Sequence, residues 1–265
     1  MNAAIPTPRP PKRSLFLKES RAALDFARMW GPLVTSGLSR TAQRQDSLVI
    51  VVPGFGSNDS YTLPLRRFLA NQGFKTEGWG LGSNLAGRNL PHTQDDLSDR
   101  WDFEHREDYN GEAGVPFMID QLYDRVMDRH LLTGRKISLI GWSLGGYAAR
   151  EVARDMPDVV DRVITMGSPI VGGPKYTAVA AVFDQGGQDL NWIEDEITRR
   201  EENTIKQPIT AIYSKTDGIV GWPATIDRYS PRVRHVQVDA AHLGMGFNRE
   251  IWGLVLDALL EDAEG

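Results

Sequence analysis

The sequence predicts an α/β domain: a doubly wound, mostly parallel sheet with helices on both faces and a small cap insert. Three observations carry this. A short continuous apolar run at residues 47–52, and mostly apolar runs at 137–140, 162–166 and 209–213, have the length of buried strands. Stretches with apolar residues at helical spacing alternate with them, as crossover helices do. Glycine-rich turns at 53–56 and 141–146 follow directly on strands, where sheets of this kind gather ligands.

The chain has 265 residues, of which 41% are hydrophobic and 25% charged, enough for one large core. We expect a flexible or loosely docked arm over 1–18, with four prolines, and a single domain over 19–265 with a cap or lid insert at 172–207. No repeat, low-complexity tract or domain linker interrupts it. The net charge of −5 gives no basic footprint for nucleic acid. The absence of cysteine excludes disulfides, zinc-thiolate sites and a cysteine nucleophile, and is compatible with a reducing compartment. No apolar run approaches a membrane span, and residues 1–18 lack a signal-peptide core, so a cytoplasmic location is expected.

In chain order, residues 20–34 read as a helix whose apolar face, with Leu24, Phe26, Met29, Trp30, Leu33 and Val34, packs on the body or lies on a lipid surface. Residues 47–52 are a strand, 63–72 a helix with Leu65, Phe68 and Leu69 inward, and 75–80 a weaker strand. Residues 82–110 form a polar excursion, and 114–132 a helix with Met118, Ile119, Leu122 and Val126 on one face. Strands at 162–166, 209–213 and 233–238 and a last helix at 250–260 complete the alternation.

The chemistry centres on Gly141-Trp142-Ser143-Leu144-Gly145-Gly146. A strand ends there, a helix begins at once, and a serine stands at the apex. Glycines two residues either side are needed where strand and helix nearly touch. A serine hydroxyl becomes a nucleophile when a base takes its proton, and that base needs a carboxylate to fix its tautomer. Asp217 follows the strand 209–213 and His242 follows 233–238, giving the order Ser143, Asp217, His242. His92 and His105 lie before the elbow, His130 at a helix end and His235 inside a strand. Asp239 is too near His242 in sequence, and Asp184 and Asp189 are rivals within the insert. The N–H groups of Phe55, in Pro53-Gly54-Phe55-Gly56, and of Leu144 are the expected oxyanion donors.

With these residues the chain resembles the α/β-hydrolases, close to bacterial lipase and esterase-like members. The matching segments also include Gly167-Ser168-Pro169, Thr216-Asp217-Gly218-Ile219-Val220 and Ala241-His242-Leu243-Gly244, so the likeness spans residue 48 to the C-terminus. It implies a serine–histidine–aspartate triad and a cap over it. Many lipases carry His-Gly at the oxyanion loop, where this chain has Pro53-Gly54.

Trp142, Val182, Ile219, Trp222 and Leu243 are expected at the wall of an apolar pocket for a nonpolar acyl group. Glu194-Asp195-Glu196 and Arg199-Arg200-Glu201-Glu202 read as a solvated helix face. The expected activity is hydrolysis of carboxylic esters through an acyl-enzyme, with no cofactor and no metal. Acyl transfer, thioester or amide hydrolysis on the same residues, or a non-catalytic binding role, are the alternatives. The expected partner is a small ester or lipid, with transient lipid-surface contact and no nucleic acid; oligomeric state is not encoded legibly.

Overall fold

The computed structural model describes residues 5–28, 47–103, 107 and 109–261. Six strands form one parallel sheet: β1 (Leu48–Val52), β2 (Lys75–Gly78), β3 (Ile137–Trp142), β4 (Val160–Met166), β5 (Ile209–Ser214) and β6 (Val233–Val238). Their spatial order is β2-β1-β3-β4-β5-β6, so the chain winds outward from β1 in both directions. Around them lie α1 (Arg13–Phe16), α2 (Ala22–Arg28), α3 (Asp59–Asn71), α4 (Gly114–Thr133), α5 (Leu144–Asp155), α6 (Ala180–Asp184), α7 (Leu190–Arg200) and α8 (Arg249–Leu260).

Strand alternation divides the core. Leu48, Ile50, Val52, Ile137 and Leu139 face α4 and α5, whose Met118, Leu122, Ala148 and Val152 cover them. Val49, Val51, Ile140 and Trp142 face α3 and α8, against Leu65, Phe68, Ile251 and Val255. Helices therefore cover both faces, which is why β1 reads as an unbroken apolar run.

Element boundaries differ from expectation for local reasons. α3 starts four residues early, because Asn58 caps it by accepting a hydrogen bond from Ser60 N–H at 2.9 Å. Pro64 lies inside the helix rather than opening it. β2 stops at Gly78 because the next two N–H groups, of Trp79 and Gly80, turn to the Asp59 carboxylate at 3.0 and 3.1 Å. Of the helix expected over 20–34, Ala22–Arg28 is helical, preceded by a 3-10 segment at Leu17–Arg21. Met29, Trp30, Leu33, Val34 and His105 lie outside the described residues.

The charged face expected on α7 needs correction. Arg200 and Glu201 are turned inward onto α5. Glu201 accepts from Arg150 at 3.1 Å and Arg154 at 3.0 Å, while Arg200 bonds Glu151 and Asp155 at 2.9 Å each. Arg150 also pairs with Asp227, in the connection between β5 and β6. Burial alone would raise the Glu151 carboxyl, but Arg154 and Arg200 outweigh it and leave it lowered. For Asp227, the pull of Arg150 and the N–H groups of Ser230 and Tyr229 overcomes burial and brings the carboxyl down to about 2. No described helix is long and apolar enough to cross a membrane.

Candidate active site

β3 ends at Trp142 and α5 begins at Leu144, leaving Ser143 alone in the turn with φ 55° and ψ −127°. A non-glycine residue in that region costs on the order of 1–3 kcal/mol. Its neighbours hold it there. Ser143 N–H donates to Met166 carbonyl at 2.8 Å, and Gly146 N–H donates to Ser143 carbonyl at 2.9 Å. A Cβ at residue 141 would collide with the backbone of 145 and 146, and one at 145 with the carbonyls of Val52 and Pro53. Only glycine permits this approach.

Asp217 and His242 meet beside the elbow. His242 Nδ1 and Asp217 Oδ2 are 2.7 Å apart, both side chains almost wholly buried. The other Asp217 oxygen, Oδ1, accepts from Ile219 N–H at 2.8 Å and Val220 N–H at 2.7 Å. Asp217 is thus fixed by its own loop while one oxygen stays free for the imidazole. That bond leaves His242 Nε2 as the ring nitrogen available to a hydroxyl. Among the described residues no hydrogen bond joins Ser143 Oγ to His242; such bonds commonly close only when substrate is bound.

The rival side chains are engaged elsewhere. Asp239 is exposed, accepting from Thr216 Oγ1 at 2.6 Å and pairing with Arg21. Asp189 caps α7, and Asp184 ends α6. His130 Nδ1 lies 2.7 Å from Arg135 carbonyl, His92 Nδ1 2.6 Å from Leu90 carbonyl, and His235 Nε2 accepts from Asp227 N–H at 3.0 Å.

Leu144 opens α5, so its N–H has no acceptor within the helix. Phe55 lies opposite, in a turn closed by Ser57 N–H to Gly54 carbonyl at 3.1 Å. Asn84, fully buried, fixes this turn from the polar excursion. Its Nδ2 donates to Pro53 carbonyl at 2.7 Å, its carbonyl accepts from Gly56 N–H at 2.8 Å, and its own N–H donates to Ser57 carbonyl at 2.8 Å.

Ser143 and Leu144 form the floor of an apolar cleft. Phe55 contributes one side, Trp101 and Phe103 of the excursion another, and Val179, Phe183 and Trp192 of the insert the roof. Ile219 and Val220, beside Asp217, complete it. Four side chains expected at this wall are elsewhere. Trp142 points through the sheet to the α3 side, stacks on Tyr61 at 4.0 Å and donates from Nε1 to His242 carbonyl at 3.1 Å. Strand alternation puts residue 142 on the same face of β3 as Ile140, toward α3 and α8. Val182 turns outward from α6 and Leu243 is 44% exposed, both off the cleft. Trp222 stacks on Tyr213 outside it.

Residues to which the sequence reading gave no role in the site, Tyr61 being expected only to face inward, hold it in shape. Besides Asn84 they include Tyr61, whose Oη donates to Leu243 carbonyl at 3.0 Å and accepts from Gly246 N–H at 3.2 Å. Burial raises the Tyr61 hydroxyl against the Gly246 bond, with Glu19 and Asp25 adding to the rise, so it stays a neutral donor. Glu19 is the third, taken up below. Among the described residues no cluster of His, Asp and Glu is suited to a metal ion.

No protein-family model matches the chain, and no curated protein matches it in sequence. Many solved structures match it in shape. A lipase-esterase related protein from Clostridium acetobutylicum superposes with a TM-score of 0.54 at 16% identity, over 81% of this chain and 95% of that one. Est1E from Butyrivibrio proteoclasticus, determined with ferulic acid, gives 0.52 at 15%, over 81% and 86%. A thioesterase domain from the curacin biosynthetic pathway gives 0.52 at 12%, over 82% and 92%. With the parallel sheet, its strand order and the serine turn between β3 and α5, these likenesses establish that the chain has the α/β-hydrolase fold.

Proposed function

We propose that this protein is a serine hydrolase that cleaves carboxylic esters of nonpolar acids. The observation that carries the reading is the buried Asp217–His242 pair, 2.7 Å apart, in the loops beside the strained Ser143 turn. The fold neighbours, which include proteins described as a monoacylglycerol lipase, lipolytic enzymes, a lipase-esterase related protein and a thioesterase domain, support hydrolysis as the reaction class. The aromatic cleft over Ser143 supports an apolar acyl group.

In this mechanism His242 Nε2 takes the proton as Ser143 Oγ attacks the ester carbonyl. Asp217 holds Nδ1–H and stabilises the imidazolium. The N–H groups of Phe55 and Leu144 receive the oxyanion, in a site where fixed donors cost no reorganisation. His242 then returns its proton to the leaving alcohol. A water, deprotonated by the same nitrogen, attacks the acyl-enzyme and releases the acid. Each step needs only these side chains and water.

The test is hydrolysis of p-nitrophenyl esters of graded acyl length by wild type and Ser143→Ala, both shown folded. We expect the variant to lose roughly 10⁴ to 10⁶ in kcat. Activity that survives the substitution, or a wild type inert to every ester, overturns the reading.

A further inference from the structure

Glu19 is an unusual carboxylate. It lies in the segment before the sheet, yet it is only 6% exposed. Among the described residues no cation pairs with it. Instead Oε1 accepts from Gly218 N–H at 2.8 Å and His242 N–H at 3.0 Å, and Oε2 accepts from Leu243 N–H at 2.9 Å. One donor follows Asp217 directly; the others are His242 itself and its successor. A single side chain thus ties the acid loop to the base loop.

Backbone amides converging on a carboxylate form an anion nest. The surrounding chain is shaped to deliver it. The Leu15 carbonyl lies where a side chain at residue 218 would stand, so glycine there admits the arm. Two residues past Glu19, Arg21 donates to Thr216 Oγ1 at 3.0 Å and pairs with Asp239 at 3.3 Å, one contact on each of the same two loops.

We infer that Glu19 is a positioning residue for the hydrolytic site: it sets the separation of the loops that carry Asp217 and His242. Nearer the strand ends the two loops are joined by Thr216 Oγ1 to Asp239 at 2.6 Å and by Ala240 N–H to Ser214 Oγ at 3.3 Å, whereas at Asp217 and His242 themselves the links are their mutual bond and Glu19. Without Glu19 that bond would be left to set the local spacing of the loops as well as orient the imidazole. The effect belongs to kcat, because Glu19 touches no part of the cleft. The inference rests on the Ser143–His242–Asp217 reading for its kinetic consequence, and on geometry alone for the state of the pair.

The experiment compares the full-length wild type with Glu19→Ala and Glu19→Gln. Thermal melting establishes folding. Proton NMR follows the His242 Nδ1 proton, assigned by its absence in Asp217→Asn. Kinetics on a p-nitrophenyl ester give kcat and KM. In Glu19→Ala we expect the Nδ1 resonance to broaden away and kcat to fall roughly 10²-fold, the scale of a small misplacement of a catalytic group, with KM within about twofold. A glutamine carbonyl can keep the Gly218 and His242 bonds while its amide opposes Leu243 N–H. Glu19→Gln should therefore keep the resonance, shifted, and lose about tenfold, as for one buried donor left unpaired. It carries the test if the alanine variant does not fold. An unchanged Nδ1 resonance in a folded Glu19→Ala overturns the inference whether or not esters are hydrolysed. So does an unchanged kcat when Ser143→Ala is inactive. Ester hydrolysis that survives Ser143→Ala instead defeats the functional reading, and the resonance still decides the role of Glu19.

Discussion

Asp217 and Glu19, at the catalytic loops, and Glu151, Glu201 and Asp227, around α5, are all buried, yet their carboxylates are met in different ways. Asp217 and Glu19 are held by backbone N–H groups. Glu151 and Glu201 are held by Arg150, Arg154 and Arg200, and Asp227 by Arg150 on one oxygen and by the N–H groups of Tyr229 and Ser230 on the other. Amides are fixed by the chain, so the first arrangement defines where a carboxylate oxygen points and leaves one free to meet an imidazole. Arginines reach across elements, so the second fastens one element to another: α7 to α5, and α5 to the loop of Asp227. The first suits chemistry, and the second suits attachment of the cap.

Asp217→Asn tests this division most sharply. The amide would favour the wrong tautomer of His242, and kcat should fall by roughly 10⁴, while the melting temperature changes little. A variant that loses stability in proportion to activity would break the distinction. Arg150→Met should do the reverse. It strands Asp227 and leaves Glu201 with Arg154 alone, and breaking a buried pair this way costs about 3–5 kcal/mol. Chemical denaturation measures that loss, and kcat per folded molecule should stay within a few-fold.

The smallest expected effect is on pH. Asp227 has a folded value of about 2, below its ordinary 3.8. The stability it contributes is therefore complete above about pH 4 and is lost as pH falls toward 2, amounting to about 2 kcal/mol. Urea melts across that range, beside Asp227→Asn, should show a slope that the variant lacks. An equal slope in the variant would assign the acid sensitivity to other carboxylates.

The legible parts of this fold are those whose cause is local. Leu48–Val52 and Ile209–Ser214 are strands because short apolar runs end in turn residues, and Ser143 stands out because its glycines must lie at fixed spacing. Asp217 and His242 were found by their order after late strands, and the structure brings them together. Trp142 was misplaced although period-two alternation carried the answer, since residue 142 must leave the same face of β3 as Ile140, toward α3 and α8. Arg200 and Glu201 misled for another reason: a charged helix face reads alike whether it meets water or a buried set of opposite charges. Glu19 left no signal at all. Its partners are peptide N–H groups, which every residue but proline possesses, so no pattern of side chains could announce them.

The contacts of Glu19 also have an order in time. They span 199, 223 and 224 residues of chain. Closing so long a loop is slow relative to forming the α4–β3–α5 region, whose contacts are near neighbours in sequence. On a ribosome the glutamate leaves the tunnel first and stays hydrated while the sheet is laid down behind it. A nascent chain halted before residue 242 would hold a finished serine turn with no base beside it. The arm then docks as one of the last events of folding, and the two ends of the described chain lock the loops only once both have been made.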